Sequence, residues 1–474
     1  MDVLMGGFLV LVSIAQPPAP AQPAEKSAPK APAEYHPDQV AGFVRDTAQA
    51  KGFIGLEVVV VHQGKPSLAV GCGATALQGG RPITPEIPLA IGSVSKQFTC
   101  AAILLLAQDG KLSPTDKVSR WYPQATQADR VTLLDLMNHT SGYTDYYPLD
   151  FVDRRMARPI GTDALIQRYA GGKLDFEPGA KYSYSNTGYT ILGRVVERVS
   201  GQPLGDFLRE RIFKPLDMAT ARYEPPHDAT GLATGYRALG IDGSEPAPPE
   251  GDGWLNGAGG VWASATDLAK WASALMGGKA LAPPSLEIMT RPRLLNNGKK
   301  SYYGCGLTVR ESGGEPVWGH TGSISGFHAN LTMMPRTKTV VITLANAEHL
   351  DDGKLHRDIV TLLQKEPANL PRVNGPKAVD QAKSLVAQLA RGMLEPDNLG
   401  EEYALFMNPG RMQAYTRKLT ELGEPTAVLV SSQHERGGME VSMLRLHFKN
   451  GVNLLGSLYR TPDGKVQQFL LTLE

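Results

Sequence analysis

The sequence predicts an α+β protein: one antiparallel sheet flanked by helices and interrupted by a long helical insertion, followed by a small α+β unit. Three observations carry this. Strand-like apolar runs come early, at residues 56–61 and 67–70, and return only at 306–309, 316–318, 329–334 and 339–344. Between them, from about residue 110 to 250, the pattern is short helices and loops, such as 131–138, 162–169 and 187–200. After Leu370 the pattern starts afresh, with two helices (377–393 and 409–422) and four strand-like runs.

In chain order, residues 1–15 hold an apolar run, 6–14, ending in the small-x-small pattern Ser13-Ile14-Ala15. This reads as a secretory signal peptide, too short to span a bilayer, and places the mature protein in the periplasm or outside the cell. Residues 16–35 are rich in Pro and Ala and read as an extended linker. Residues 38–51 form an amphipathic helix. The runs 56–61 and 67–70 flank His62-Gln63-Gly64-Lys65 as a β-hairpin. Residues 350–365 close the first unit with a helix, so that 36–370 is one domain and 376–474 a second, of αα-ββββ order. In its last strand Phe469, Leu471 and Leu473 alternate on one face.

The 474 residues carry a formal net charge of +1, which offers no basis for a nucleic-acid or membrane-surface partner. Three cysteines, Cys72, Cys100 and Cys305, are too few and scattered for a disulfide framework. No cofactor is expected, and the partner expected is a small-molecule or peptide substrate.

The chemistry begins at Ser93-Val94-Ser95-Lys96, which leads into an unbroken apolar helix, residues 97–107. Three residues apart on a helix, Ser93 and Lys96 share a face. A serine at a helix start has backbone N–H donors for an oxyanion, and a buried lysine loses pKa and becomes a base. Alone the tetrapeptide says little: Ser27-Ala28-Pro29-Lys30 has the same pattern in a proline-rich stretch, and Ser93 alone reads equally as a helix cap.

Two further motifs change the weighing. Of sixteen tyrosines only Tyr184 has Asn two residues on, in Tyr184-Ser185-Asn186 just before a helix. Its phenol can relay a proton, and Asn186 can bind a substrate amide and hold the lysine. The third motif is His320-Thr321-Gly322, followed by Ser323. Gly322 permits a close backbone approach, as where a substrate lies along a strand, and the Ser323 N–H is a candidate second oxyanion donor beside that of Ser93. A metal reading of His320 and His328 lacks the H-E-x-x-H spacing and any acidic or cysteine cluster.

In this order, and roughly ninety and then 135 residues apart, these motifs resemble the serine β-lactamase and penicillin-binding protein superfamily, in its class C β-lactamase, D-aminopeptidase and family VIII esterase branch. Supporting stretches are Leu136-Met137-Asn138-His139-Thr140-Ser141-Gly142, residues 176–188 and residues 257–268. The resemblance implies a β-lactamase/transpeptidase-like fold with its site between sheet and insertion. It implies acyl transfer in which Ser93 attacks a carbonyl, Lys96 and Tyr184 move the proton, and Asn186, His320, Thr321, Gly322 and Ser323 bind substrate. His320 stands where β-lactamases usually have lysine, which favours a peptidase or esterase with little or no β-lactamase activity. The alternative is an idle scaffold or ligand-binding protein whose C-terminal unit carries the function.

Overall fold

A computed structural model describes residues 29, 31–32, 34–147, 154–226, 229–241, 243–312, 315–364 and 371–473. The expected leader, residues 1–15, and most of the expected linker, 16–35, lie outside the described residues.

A six-stranded antiparallel sheet runs in the order Lys65–Gly73, Gly55–His62, Thr339–Ala345, Phe327–Met334, Glu315–Ile324, Thr308–Ser312. Early and late strands therefore meet at its centre, with Leu56 opposite Ala345 and Val61 opposite Val340. The early hairpin turns at Gln63 and Gly64, whose φ values of 52° and 77° give the twist that two-residue hairpins favour. Gly55–His62 is buried on both faces, which is why it reads as a continuous apolar run. Leu56, Val58 and Val60 pack with the helices Pro37–Lys51 and Gly353–Gln364. Val59 and Val61 point the other way, into the large core shared with the insertion. The centre of that core is the helix Lys96–Gln108, buried almost throughout.

Short strands in and beside the insertion escape the pattern. Leu89–Ala90, Val261–Ala263 and Arg222–Tyr223 form a three-stranded sheet, and Tyr236–Leu239 pairs with Gly243–Pro246. Strands of two to four residues are too short to display a period of two. The reverse holds at Glu315–Ile324, where the expected strand covered only 316–318. Its glycines are there because neighbouring backbone lies against the strand: a Cβ on Gly319 would sit 2.4 Å from the Leu331 carbonyl oxygen.

The C-terminal region has helices Ala378–Ala390, Glu401–Phe406 and Pro409–Leu422 beside a sheet ordered Ala427–Arg436, Met439–His447, Asn453–Arg460, Val466–Leu473. The six-residue helix was not expected. This region has its own hydrophobic cluster, which shares no member with the other four. Phe469 is at its centre, whereas Leu473, at the end of the alternation, is 69% exposed. Among the described residues no helix is long and apolar enough to cross a membrane.

Candidate active site

Ser93 lies not in the first turn of the apolar helix but in a 3₁₀ turn, Gly92–Ser95, that feeds it. The difference helps the chemistry. Side chains at i and i+3 eclipse in a 3₁₀ turn, so Ser93 and Lys96 are brought directly together. Lys96 Nζ lies 3.1 Å from Ser93 Oγ.

Lys96 is fully buried, and burial pulls its pKa from 10.5 down to about 7, with the charge of Asp145 opposing. Nζ makes two further contacts, to Asn186 Oδ1 and the Ala258 carbonyl oxygen, both at 2.8 Å. These acceptors cannot give a proton back. When the amine is neutral they engage its two N–H groups, and the lone pair is left facing Ser93 Oγ. Asn186 is itself held: its backbone N–H donates to Asp145 Oδ1 at 2.9 Å and its Nδ2 at 3.2 Å.

Tyr184 closes the group. Its hydroxyl donates to Ser93 Oγ at 2.7 Å, and its ring lies 4.9 Å from Lys96 Nζ. Ser93, Lys96, Tyr184 and Asn186 are thus one connected constellation. Asn186 opens the helix Asn186–Ser200 rather than preceding it, while Tyr184 sits on the approach to that helix.

The His320-Thr321-Gly322-Ser323 motif lies on the strand Glu315–Ile324, and its parts diverge. Gly322 does permit a close approach, but the approaching backbone is the protein's own. A Cβ there would sit 2.0 Å from the Ile91 carbonyl oxygen and 3.1 Å from Ser93 N. Across the contact, a Cβ on Gly92 would sit 2.9 Å from Ser323 N. Two glycines therefore let the strand lie against the turn that carries Ser93, and Ser323 lines the same crevice as Ser93 and Asn186.

His320 does not hold a ring nitrogen free for a substrate. Nε2 pairs with the Tyr303 hydroxyl at 2.7 Å and Nδ1 with the Thr321 carbonyl oxygen at 2.5 Å. Burial, then the nearby Lys96, bring its pKa down to about 4. It is neutral because it is buried, not merely because it is histidine. His320 and Thr321 line a cavity of about 420 Å³ together with Tyr182, Tyr184 and Tyr303.

The crevice at Ser93 shares Leu255 and Ile324 with a neighbouring cavity of about 340 Å³. That cavity is walled by Trp262 and Phe327 and carries the carboxylates Glu224, Glu250 and Asp252. Removal from water, then repulsion from Asp252 and Glu197, raises the Glu224 pKa to about 7. Among the described residues, no group of three or more His, Cys, Asp and Glu is placed to hold a metal ion.

Sequence reasoning missed Asp145, Ala258, His139 and Tyr303. Ala258 and His139 lie in stretches noted only as supporting the resemblance. Asp145 and the backbone oxygen of Ala258 have no local signature, because their partners are distant in sequence.

A serine contacted by a buried lysine and a tyrosine, set between an antiparallel sheet and a helical insertion, has the parts that a serine hydrolase needs. The comparisons agree. The sequence model of the family described as Beta-lactamase matches residues 40–365, and the chain belongs to that family. It is 29% identical over 310 residues to a D-aminopeptidase of Brucella anthropi, a match covering 65% of this chain and 58% of that protein. A D-aminopeptidase of Brucella canis is 30% identical over 298 residues, covering 62% and 56%. The chain thus spans little more than half the length of these relatives. Among solved structures, the D-amino acid amidase of Ochrobactrum anthropi SV3 superposes with a TM-score of 0.60 at 22% identity, over 68% of this chain and 98% of that one. The octameric penicillin-binding protein homologue of Pyrococcus abyssi also reaches 0.60, at 20% identity, over 92% and 99%. At these identities the structural matches speak for the fold alone.

Proposed function

We propose that this chain is a serine hydrolase that forms an acyl-enzyme on Ser93 and acts on an amide or ester, with a D-amino-acid-containing peptide or amide as its substrate. One observation carries the reading: Ser93 Oγ is contacted by both Lys96 Nζ and the Tyr184 hydroxyl, and the lysine is held near neutrality. In the first step Ser93 Oγ bonds to the substrate carbonyl carbon while its proton passes to Lys96. The backbone N–H groups of Ser93 and Ser323 receive the oxyanion. The leaving amine or alkoxide takes its proton through Tyr184, and water then repeats the sequence to release the acid.

The substrate class rests on the relatives' names and on the carboxylate-bearing cavity beside Ser93, where a substrate ammonium would relieve the repulsion around Glu224. The neutral, engaged His320 speaks against β-lactams with their obligatory carboxylate. We also propose that 36–370 is the catalytic unit and 376–474 a separate one. Export, as part of the same reading, rests on the apolar run 6–14 and is tested by N-terminal sequencing of the mature protein.

A fluorophosphonate should label Ser93, located by mass spectrometry. In a panel of a nitrophenyl ester, a chromogenic cephalosporin, a D-Ala-D-Ala peptide, and a D-amino-acid amide with and without N-acetylation, the free D-amino-acid amide should turn over best. Absence of labelling sinks the hydrolase reading. Labelling with preference for the acetylated amide or the cephalosporin sinks the substrate reading alone.

A further inference from the structure

His139 is 1% exposed, has a left-handed backbone (φ 59°), and takes no part in the chemistry above. A non-glycine residue held in that region costs about 1–2 kcal/mol, so something holds it there. Its position explains what. The Ser183 N–H donates to the His139 carbonyl oxygen at 3.0 Å, and the Ser185 N–H donates to its Nδ1 at 3.1 Å. These are the two backbone amides on either side of Tyr184. The His139 ring meanwhile lies against the Tyr184 ring, with centroids 4.2 Å apart. One residue therefore grips the tyrosine from both flanks and on its face.

We propose that His139 is a positioning residue for Tyr184, a neutral imidazole clamp that holds the phenol hydroxyl against Ser93 Oγ; this rests on the role given to Tyr184 above. The left-handed backbone is what turns the carbonyl oxygen and the ring towards the same segment. Because Nδ1 accepts from Ser185, the ring proton is on Nε2, which has no hydrogen-bond partner among the described residues. The groups that face the ring are Lys96, His320 and the phenols of Tyr182, Tyr184, Tyr189 and Tyr303. Burial, then the neighbouring Lys96, hold the imidazole pKa well below its ordinary value. The neutral ring is the form whose Nδ1 can accept the Ser185 N–H.

The test compares three substitutions on a neutral nitrophenyl ester. Asparagine tolerates a left-handed backbone and offers an acceptor oxygen, so His139→Asn should keep kcat within about tenfold of wild type. His139→Leu keeps bulk and His139→Ala keeps backbone adaptability, but neither has an acceptor. Whichever of them folds should lose about 100-fold in kcat with KM little changed, the scale of an ångström-level misplacement. Each is then combined with Tyr184→Phe. A clamp that acts through Tyr184 predicts that Tyr184→Phe costs far less once the acceptor is gone. Equal losses in His139→Asn and the acceptor-less variant overturn the clamp, as do additive effects in the cycle or a loss carried by KM. If Tyr184→Phe is harmless in the wild-type background, it is the role of Tyr184 that falls.

Discussion

Asp145 decides which way the amide of Asn186 points. Its carboxylate accepts from both the backbone N–H and the Nδ2 of Asn186, so Oδ1 is left facing Lys96. An amide turned the other way would set N–H groups against the lysine. The Asn186 amide is thus engaged at both ends, Oδ1 with Lys96, as its motif suggested, and Nδ2 with Asp145.

The nucleophile turn predicts a contrast between two serines. Ser93→Ala should abolish both turnover and covalent labelling. Ser95 Oγ accepts from the buried Val261 N–H at 3.0 Å, so Ser95→Ala leaves that donor unpaired and should cost about 1–3 kcal/mol of stability while labelling persists. Labelling by mass spectrometry and urea denaturation check the pair. Loss of labelling in folded Ser95→Ala alone would overturn the assignment.

The pH dependence follows from Lys96. The amine must be neutral to take the Ser93 proton, so kcat/KM for a neutral ester should rise about tenfold per unit below the lysine pKa and level off above about 7. His320, with a pKa of about 4, stays neutral from about pH 5 to 9. A carboxylate-bearing cephalosporin, if turned over at all, should therefore follow the same curve. An extra rise in its kcat/KM on acidification would show that His320 does gain charge and meet the carboxylate.

Much of this site could be read from the sequence, for a reason visible in the residues. Ser93 and Lys96 are three apart, Tyr184 and Asn186 two apart, and helical or loop geometry makes such spacings meaningful. The two-faced burial of Gly55–His62 made its strand conspicuous. What was hidden is what depends on distant partners. Ala258 contributes only a carbonyl oxygen, Asp145 acts through backbone and amide N–H groups, and the sequence does not say which backbone Gly319 and Gly322 admit. Those glycines make room for Leu331 and Ile91 from elsewhere in the chain.

Glu57 predicts a stability change. It is fully buried on a central strand; Oε2 accepts from the Ala265 N–H at 2.9 Å, and Oε1 has no partner among the described residues. Burial raises its pKa well above 4.5. In that interval the folded protein keeps a proton that the unfolded chain releases, so the carboxyl's stabilising share is present below about 4.5 and is lost as pH rises towards the folded pKa. The Tm of Glu57→Gln minus that of wild type should accordingly grow from pH 5 to pH 8. A difference that does not change with pH would show that the carboxyl ionises freely.

In the C-terminal region, Arg460 donates to Glu440 Oε1 from Nη2 at 2.7 Å and Nε at 3.1 Å, both residues being buried. Removing one partner strands the other's charge, so Glu440→Ala should destabilise this region by about 3–5 kcal/mol. Hydrogen exchange should show the loss confined to residues 376–473, with ester hydrolysis kept within about tenfold. Loosening that spreads into the six-stranded sheet would mean that the two units fold as one.

The pairing of Gly55–His62 with Thr339–Ala345 sets a timetable for the chain's own synthesis. Translation delivers the nucleophile turn early, yet the strand that packs on it, Glu315–Ile324, and the one that completes the sheet's centre emerge more than two hundred residues later. Such long-range pairing is slow to form and leaves apolar edges waiting for partners. On the ribosome, then, Ser93 is made long before its enclosure is, and the nascent protein spends most of its elongation as a client for whatever shields unfinished β-sheet.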